Sequence, residues 1–96
     1  MTDEVLGITV ESLTPDKSKK LGYSADLKGV LVAGVKERSL AAQVGVQPSD
    51  IILQIGNTKV KTASEFTKVM SESDVKQGIR IHILRGGVTR FIFIRT

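Results

Sequence analysis

The sequence predicts an α+β domain in which about five short strands and two or three helices form a compact, partly open β-barrel or sandwich. Two stretches, near the start and the end of the chain, alternate apolar and polar residues with the period of a β-strand. Three helical stretches lie between them, each preceded by a threonine or serine that can act as N-cap. The connections are short and 96 residues fit one domain, so residues 1–96 are treated as a single unit.

The first third of the chain predicts a strand, a short helix and a second strand. Residues 6–10 carry an apolar residue at every second position, which is the strand period. Thr14 then offers an N-cap for a helix over 15–21, whose first residue is a proline. Gly22 is a natural stop for that helix. Residues 30–35 are mostly apolar and rich in β-branched side chains, which is typical of a buried strand.

The middle of the chain predicts two helices around another strand. Ser39 can cap a short helix over 40–44, which a glycine ends. Residues 51–60 contain an apolar strand, a Gly-Asn turn and a short return. Thr62 and the glutamate three residues later have the spacing of a capping box, and they open the longest helix, over 63–73.

The end of the chain predicts a β-hairpin. Residues 79–84 alternate isoleucine with other residues, again with the strand period. The Gly-Gly pair at 86–87 suits a two-residue turn with positive φ and leads into a last strand over 89–95. At the other end, residues 1–4 precede the first predicted strand, and we expect them to be disordered or foreign to the natural domain.

The composition excludes several classes of protein. The longest apolar run, residues 30–35, is far shorter than the roughly 20 residues of a membrane span. Cysteine is absent, which excludes a disulfide framework and thiolate chemistry. The net charge is +4, and the residues from Lys76 onward include basic ones but no acidic one. The phenylalanines, however, occur in apolar patterns typical of a core, which leaves few aromatics for base stacking. We therefore predict a solvated basic face and no nucleic-acid partner.

No residue pattern supports catalysis. His82 is the only histidine, and no nucleophile or second metal ligand occurs at a suitable spacing from it. The chain has neither a G-x-S-x-G elbow nor a glycine loop of the phosphate-binding type. We therefore predict that this fragment is not an enzyme, has no catalytic residue and holds neither metal nor cofactor.

A strand edge beside an amphipathic helix forms a groove for an extended peptide. Residues 6–10 and 63–70 can form its two walls. On the helix, positions 63, 67 and 70 share one side, whereas Phe66 and Val69 lie on the adjacent, core-facing side. The residues expected to line the groove are Val5, Leu6, Ile8, Thr9, Val10, Ala63, Thr67 and Met70. The alternative is that the apolar members of this set are simply core residues.

Short motifs occur in order along nearly the whole chain: Leu6-Gly7-Ile8-Thr9-Val10, Leu13-Thr14-Pro15, Leu21-Gly22, Gly29-Val30-Leu31-Val32, Ser39-Leu40-Ala41-Ala42, Gly45-Val46-Gln47-Pro48, Asp50-Ile51-Ile52, Val60-Lys61-Thr62, Glu65-Phe66 and Arg85-Gly86-Gly87. In order and spacing they resemble a PDZ domain of the bacterial, circularly permuted topology. The resemblance is greatest to the PDZ domains of Do-like (HtrA) serine proteases, and within these to the last PDZ module.

The resemblance implies a binding function. Backbone N–H groups of Leu6, Gly7 and Ile8 would hold a peptide carboxylate, since consecutive N–H groups in one concavity form an anion site. Ligands would be hydrophobic C-termini with an apolar last residue, or extended segments added as a strand. Exchanging Gly7 for valine is expected to abolish binding and leave the fold intact. The parent protein would be a periplasmic or cell-envelope serine endopeptidase, and this module, monomeric by itself, would serve substrate recognition or regulation beside its protease domain.

Two departures from the family pattern keep an alternative open. Ser49 stands where family members usually have glycine, and Asp3 and Glu4 stand where many PDZ domains have a basic residue before the carboxylate-binding loop. The acidic pair favours an interaction or scaffold module, whose groove does not take free C-termini and which packs against a neighbouring subunit or domain. A PDZ-like module of a membrane-embedded or C-terminal-processing protease is a third interpretation.

Overall fold

The strands form one open, antiparallel sheet in the computed structural model, which describes residues 1–96. The strands are β1 (Thr2–Asp3), β2 (Ile8–Ser12), β3 (Val30–Val35), β4 (Ile51–Ile55), β5 (Thr58–Lys59), β6 (Ile79–Arg85) and β7 (Val88–Ile94). Their order is β1-β2-β3-β4-β6-β7, and β5 pairs with β4 beside this path. The helices are α1 (Pro15–Lys20), α2 (Leu40–Gln43), α3 (Ala63–Glu72) and a 3-10 turn over Val75–Gln77. None of them has the length and apolarity needed to cross a bilayer.

The predicted α+β class is confirmed, with two differences of detail. Seven strands are present where about five were expected: β5 is the short return predicted after the Gly-Asn turn, and β1 is a two-residue strand, too short to show a period. The sheet is open and not a closed barrel, since its path ends at β1 on one side and β7 on the other.

The helix starts and the closing hairpin follow the local sequence signals. In each of the three helices the N-cap hydroxyl accepts a hydrogen bond from the backbone N–H three residues later: Thr14 from Lys17 at 3.2 Å, Ser39 from Ala42 at 3.1 Å and Thr62 from Glu65 at 3.1 Å. Gly86 and Gly87 have φ of 56° and 80°, as the two-residue turn between β6 and β7 requires.

The start of the chain differs from the prediction. The first long strand runs over Ile8–Ser12 rather than over residues 6–10, because a turn precedes it. The expected disorder of residues 1–4 is also wrong for Thr2 and Asp3, which pair with Thr9 and Ile8 of β2. The alternating pattern identified the strand, but only pairing with neighbouring backbone decided where it begins.

One face of the sheet and helix α3 enclose the core. Phe66 of α3 is 1% exposed and packs with the buried isoleucines and valines of β2, β3, β4 and β6. The expectation that all three phenylalanines are core residues is wrong for two of them. Phe91 and Phe93 are 70% and 58% exposed, because they lie on the outer face of the edge strand β7, which no layer covers.

Asp50, just before β4, is buried and held by a bidentate ion pair. Its Oδ1 and Oδ2 accept hydrogen bonds from Nε and Nη2 of Arg85 at 2.7 and 2.6 Å, and Oδ2 also accepts from the Gln47 backbone N–H at 2.9 Å. Arg85 Nη2 donates to the Gly45 carbonyl at 2.7 Å. The hydrogen bond to Asp50 raises the pKa of Arg85 above its ordinary value. The pair thereby joins the turn after α2 to the end of β6.

The turn before Asp50 explains the departure at Ser49. Ser49 has φ of 76°, a left-handed conformation that glycine adopts without strain and other residues adopt at a cost. We expect Ser49→Gly to stabilise the domain by about 0.5–1 kcal/mol, which corresponds to a Tm increase of about 2–8 °C. The matched control is Ser64→Gly at an exposed position of helix α3, where the same exchange should lower Tm. A thermal melt in which Ser49→Gly is also destabilised would contradict the prediction.

Candidate functional site

Strand β2 and helix α3 form the two walls of the predicted groove. A long-range hydrogen bond fixes their relative position, since the Ala63 backbone N–H at the start of α3 donates to Ser12 Oγ at the end of β2, at 2.9 Å. The side of β2 that faces away from β3 is paired with β1, and its Val10 N–H donates to the Met1 carbonyl. A further strand can therefore pair with this edge of β2 only by displacing residues 1–3.

The loop before β2 is held from behind through its carbonyl groups. The Leu6 carbonyl accepts from the Ala41 N–H of α2 at 3.0 Å, and the Gly7 carbonyl accepts from the Lys36 N–H at 2.8 Å. In a trans peptide the N–H and C=O groups point in opposite directions. The N–H groups of Gly7 and Ile8, which share these peptide units, therefore point away from α2 and β3.

Position 7 requires glycine for two reasons, its backbone conformation and the lack of room for a side chain. Its φ is +78°, and a Cβ at this position would lie 2.3 Å from Ser39 Cβ, well inside contact distance. Ser39 is the N-cap of α2, so a side chain here would displace the helix that anchors the loop. In place of an intact fold, we therefore expect Gly7→Val to disturb the fold as well as binding.

Residues 1–3 occupy two of the three N–H groups predicted to hold a peptide carboxylate, those of Leu6 and Gly7. Leu6 N–H donates to the side chain of Asp3 (Oδ1) at 2.9 Å, and Gly7 N–H donates to the Asp3 carbonyl at 2.8 Å. Val10 N–H donates to the Met1 carbonyl at 2.7 Å. Asp3 is therefore a hydrogen-bond acceptor for the loop and not only the opposing charge expected from the sequence. Its position three residues before Leu6, where an aspartate can accept a local backbone hydrogen bond, was the available signal.

The predicted groove residues fall into two groups by burial. The side chains of Leu6, Ile8, Val10, Ala63 and Met70 belong to the core and are between 0 and 9% exposed. The core alternative therefore holds for these side chains, and Leu6, Ile8 and Val10 can meet a peptide chiefly through their backbone. Of the others, Val5 is 58% exposed in the loop, and Thr9 and Thr67 are exposed on β2 and α3.

The groups around the loop carry charges of both signs. Lys36 is exposed beside the loop, and its Cβ lies 3.6 Å from where a Cβ of residue 7 would be. Lys36 and Glu4 both line a hollow of about 600 Å³ next to Gly7. Lys36 was not among the predicted site residues, because it is distant in sequence and lies beside the loop only through the pairing of β2 with β3.

His82 lies far from this loop, on the outer face of β6. Its ring is 4.5 Å from the ring of Phe91, between centroids, with a tilt of 48°. The two residues are cross-strand partners in the β6–β7 hairpin. The histidine therefore packs against an aromatic neighbour on the sheet surface.

Comparison with known proteins gives a consistent family. A family model described as "PDZ domain" matches residues 4–95. A probable periplasmic serine endoprotease, DegP-like, of Chlamydia pneumoniae is 33% identical over 90 residues, which are 94% of this chain and 18% of the relative. The putative serine protease HhoB of Synechocystis sp. is 34% identical over 102 residues, covering 99% of this chain and 24% of HhoB. The chain thus spans about a fifth of the length of these relatives.

Solved structures show the same fold. The HtrA-type protease AlgW with a decapeptide superimposes with a TM-score of 0.83 at 30% identity, over 94% of this chain and 27% of AlgW. The HtrA3 PDZ domain bound to the phage-derived ligand FGRWV has a TM-score of 0.80 at 20% identity, over 94% of this chain and 81% of that one. The second similarity is one of fold alone.

Proposed function

The chain belongs to the PDZ domain family, and from that premise we propose that it captures extended peptides by adding them as a strand to the edge of β2, in the place of residues 1–3. The observation that carries the proposal is the orientation of the loop. The Leu6 and Gly7 carbonyls are bound behind it, which directs the N–H groups of Gly7 and Ile8 to the other side. Neighbouring N–H groups in this arrangement form an anion site suited to a terminal carboxylate.

The preferred ligand is a C-terminus whose last residue is apolar. Leu6 and Ile8, which flank Gly7, and Met70 of α3 all belong to the hydrophobic core beneath the groove. An apolar last side chain would extend that core, and burying it would contribute about 1.5–3 kcal/mol. Lys36 adds a positive charge near the site of the carboxylate, which opposes the effect of Asp3 and Glu4.

The relatives indicate the setting in which this binding would operate. DegP-like and HtrA-type proteases dominate the similar proteins, and one of the solved structures holds a decapeptide. On that basis we extend the proposal to the whole protein, as a periplasmic or cell-envelope serine endopeptidase. This module, a monomer when isolated, would then recognise substrates or regulate the protease domain of the same chain.

Matched peptides test the proposed function. A fluorescent decapeptide ending in valine with a free carboxylate should bind with a Kd on the order of 100 µM. Its C-terminally amidated form should bind at least tenfold more weakly, because charge-assisted hydrogen bonds of a carboxylate contribute about 1.5–3 kcal/mol. In chemical-shift mapping, the amides of residues 6–10 and 63–70 should move.

The scaffold alternative makes the opposite prediction. If the groove is not used for free C-termini, the two peptides should bind equally or not at all. Shifts confined to residues 80–95, on the basic face, would likewise contradict the proposed groove. The acidic residues Asp3 and Glu4 beside the loop are the observation that favours this alternative.

A further inference from the structure

We infer that residues 1–3 are an intramolecular ligand of the β2–α3 groove, held by the Asp3 side-chain carboxylate in the place of a terminal carboxylate. The inference rests on the proposed function, because it assigns an occupant to the same groove. The ligand class assigned to the groove is an internal strand segment whose aspartate lies at the carboxylate-binding loop.

The segment lies as a strand ligand would lie. It runs antiparallel to β2, with Thr2 opposite Thr9 and Asp3 opposite Ile8. The Val10 N–H donates to the Met1 carbonyl at 2.7 Å, which extends the pairing by one residue toward the far end of the groove. The chain direction brings Asp3, its last residue, to the loop that precedes β2.

The contacts of Asp3 reproduce those required of a terminal carboxylate. One oxygen of its side chain accepts the Leu6 N–H at 2.9 Å, and its backbone carbonyl accepts the Gly7 N–H at 2.8 Å. A terminal carboxylate likewise presents two oxygens, both bonded to the carbon next to its Cα. Asp3 therefore supplies an ionised acceptor and a second oxygen to consecutive N–H groups of the loop.

The segment also reaches the second wall of the groove. Thr67 Oγ1 of helix α3 donates to Met1 Sδ at 2.7 Å. Met1 nevertheless remains 58% exposed. The segment thus spans from β2 to α3 without burying a large apolar anchor, so an apolar C-terminal residue has burial to gain by replacing it.

Two residues connect the segment to the loop, and this short connection favours the closed arrangement. Only Glu4 and Val5 separate Asp3 from Leu6, so the effective concentration of the segment at the loop is high. A ligand from elsewhere meets a free groove only in the fraction of molecules whose segment has dissociated. Its apparent Kd is raised by the inverse of that fraction.

The test compares Asp3→Ala with the matched control Glu4→Ala. Both variants remove one negative charge beside the loop, but no hydrogen bond of the Glu4 side chain is present to be lost. With the valine-terminated decapeptide, Asp3→Ala should bind about three- to tenfold more tightly than the wild type, because the part-buried hydrogen bond from the Leu6 N–H to Asp3 is lost and such a bond contributes about 0.6–1.4 kcal/mol. Glu4→Ala should stay within about twofold. Where the wild type binds the decapeptide measurably, equal gains in the two variants, or no gain in Asp3→Ala, would overturn the inference.

Amide hydrogen exchange without peptide gives a second readout that does not depend on the proposed function. The Leu6 and Val10 N–H groups should be protected in the wild type and in Glu4→Ala, and Leu6 should lose protection in Asp3→Ala. If no variant binds the decapeptide while this pattern holds, the proposed function fails and the intramolecular ligand stands. Rapid exchange of Leu6 and Val10 in the wild type would overturn the inference whatever the peptide does.

Discussion

Gly7→Ala should destabilise the domain by about 2–5 kcal/mol and lower its Tm by about 10–25 °C. Two effects add. A φ of +78° costs a residue with a Cβ about 1–2 kcal/mol, and forcing a methyl group against Ser39 Cβ, 2.3 Å away, costs about 1–3 kcal/mol. Because Ser39 caps α2 and α2 anchors the loop, peptide binding should be lost together with stability.

Two other glycines separate these effects in thermal or urea denaturation. Gly22 has φ of +88° with no atom near a built Cβ, so Gly22→Ala measures the conformational term alone. Gly34 in β3 has neither positive φ nor a close neighbour, and Gly34→Ala should change stability by less than about 0.5 kcal/mol. If Gly7→Ala costs no more than Gly22→Ala, the contact with Ser39 is not the constraint described above.

Arg85→Met should destabilise the domain by about 2–4 kcal/mol, or about 8–20 °C in Tm. The Asp50 carboxylate is 2% exposed as a side chain and would keep only the Gln47 N–H as a partner. A buried charge without its counter-ion costs far more than the pair contributes when intact. The carbonyl of Gly45 would also lose the Nη2 donor of Arg85.

The double variant Arg85→Met/Asp50→Asn distinguishes an unpaired charge from lost packing. An uncharged amide at residue 50 can still accept from Gln47, so the double variant should recover at least about 1 kcal/mol relative to Arg85→Met. Arg90→Met, an exposed arginine of the same hairpin without an ion pair, is the matched control and should change stability by less than about 0.5 kcal/mol. A double variant no more stable than Arg85→Met would show that the charge at Asp50 is not the cause.

The groove illustrates how far residue patterns reach. The motif around Gly7 and the helix opened by Thr62 predict the two walls of the proposed groove, because each is defined by residues close in sequence. The pattern could not tell whether Leu6, Ile8 and Val10 line the groove or the core. Their side chains share the face that α3 covers, and alternation shows only that one face is apolar.

The contacts of Asp3 could not be predicted from the sequence. Asp3 and Glu4 are adjacent residues that both carry a carboxylate, and the sequence predicts for both only a charge that opposes a peptide terminus. Only the backbone path, which turns between them and Leu6, places the Asp3 carboxylate at an N–H group and leaves Glu4 exposed.

Elements whose stabilising contacts are local could be predicted from the sequence. The caps of Thr14, Ser39 and Thr62 join atoms three residues apart, and the turn at 86–87 depends on the φ values of two glycines. Tertiary structure decided what depends on distant partners. Ser12 meets Ala63 and Asp50 meets Arg85, separations of 51 and 35 residues. In β7, apolar residues occupy both faces of the strand. The face of Ile94 is covered by the core, whereas Phe91 and Phe93 lie on the face exposed to solvent.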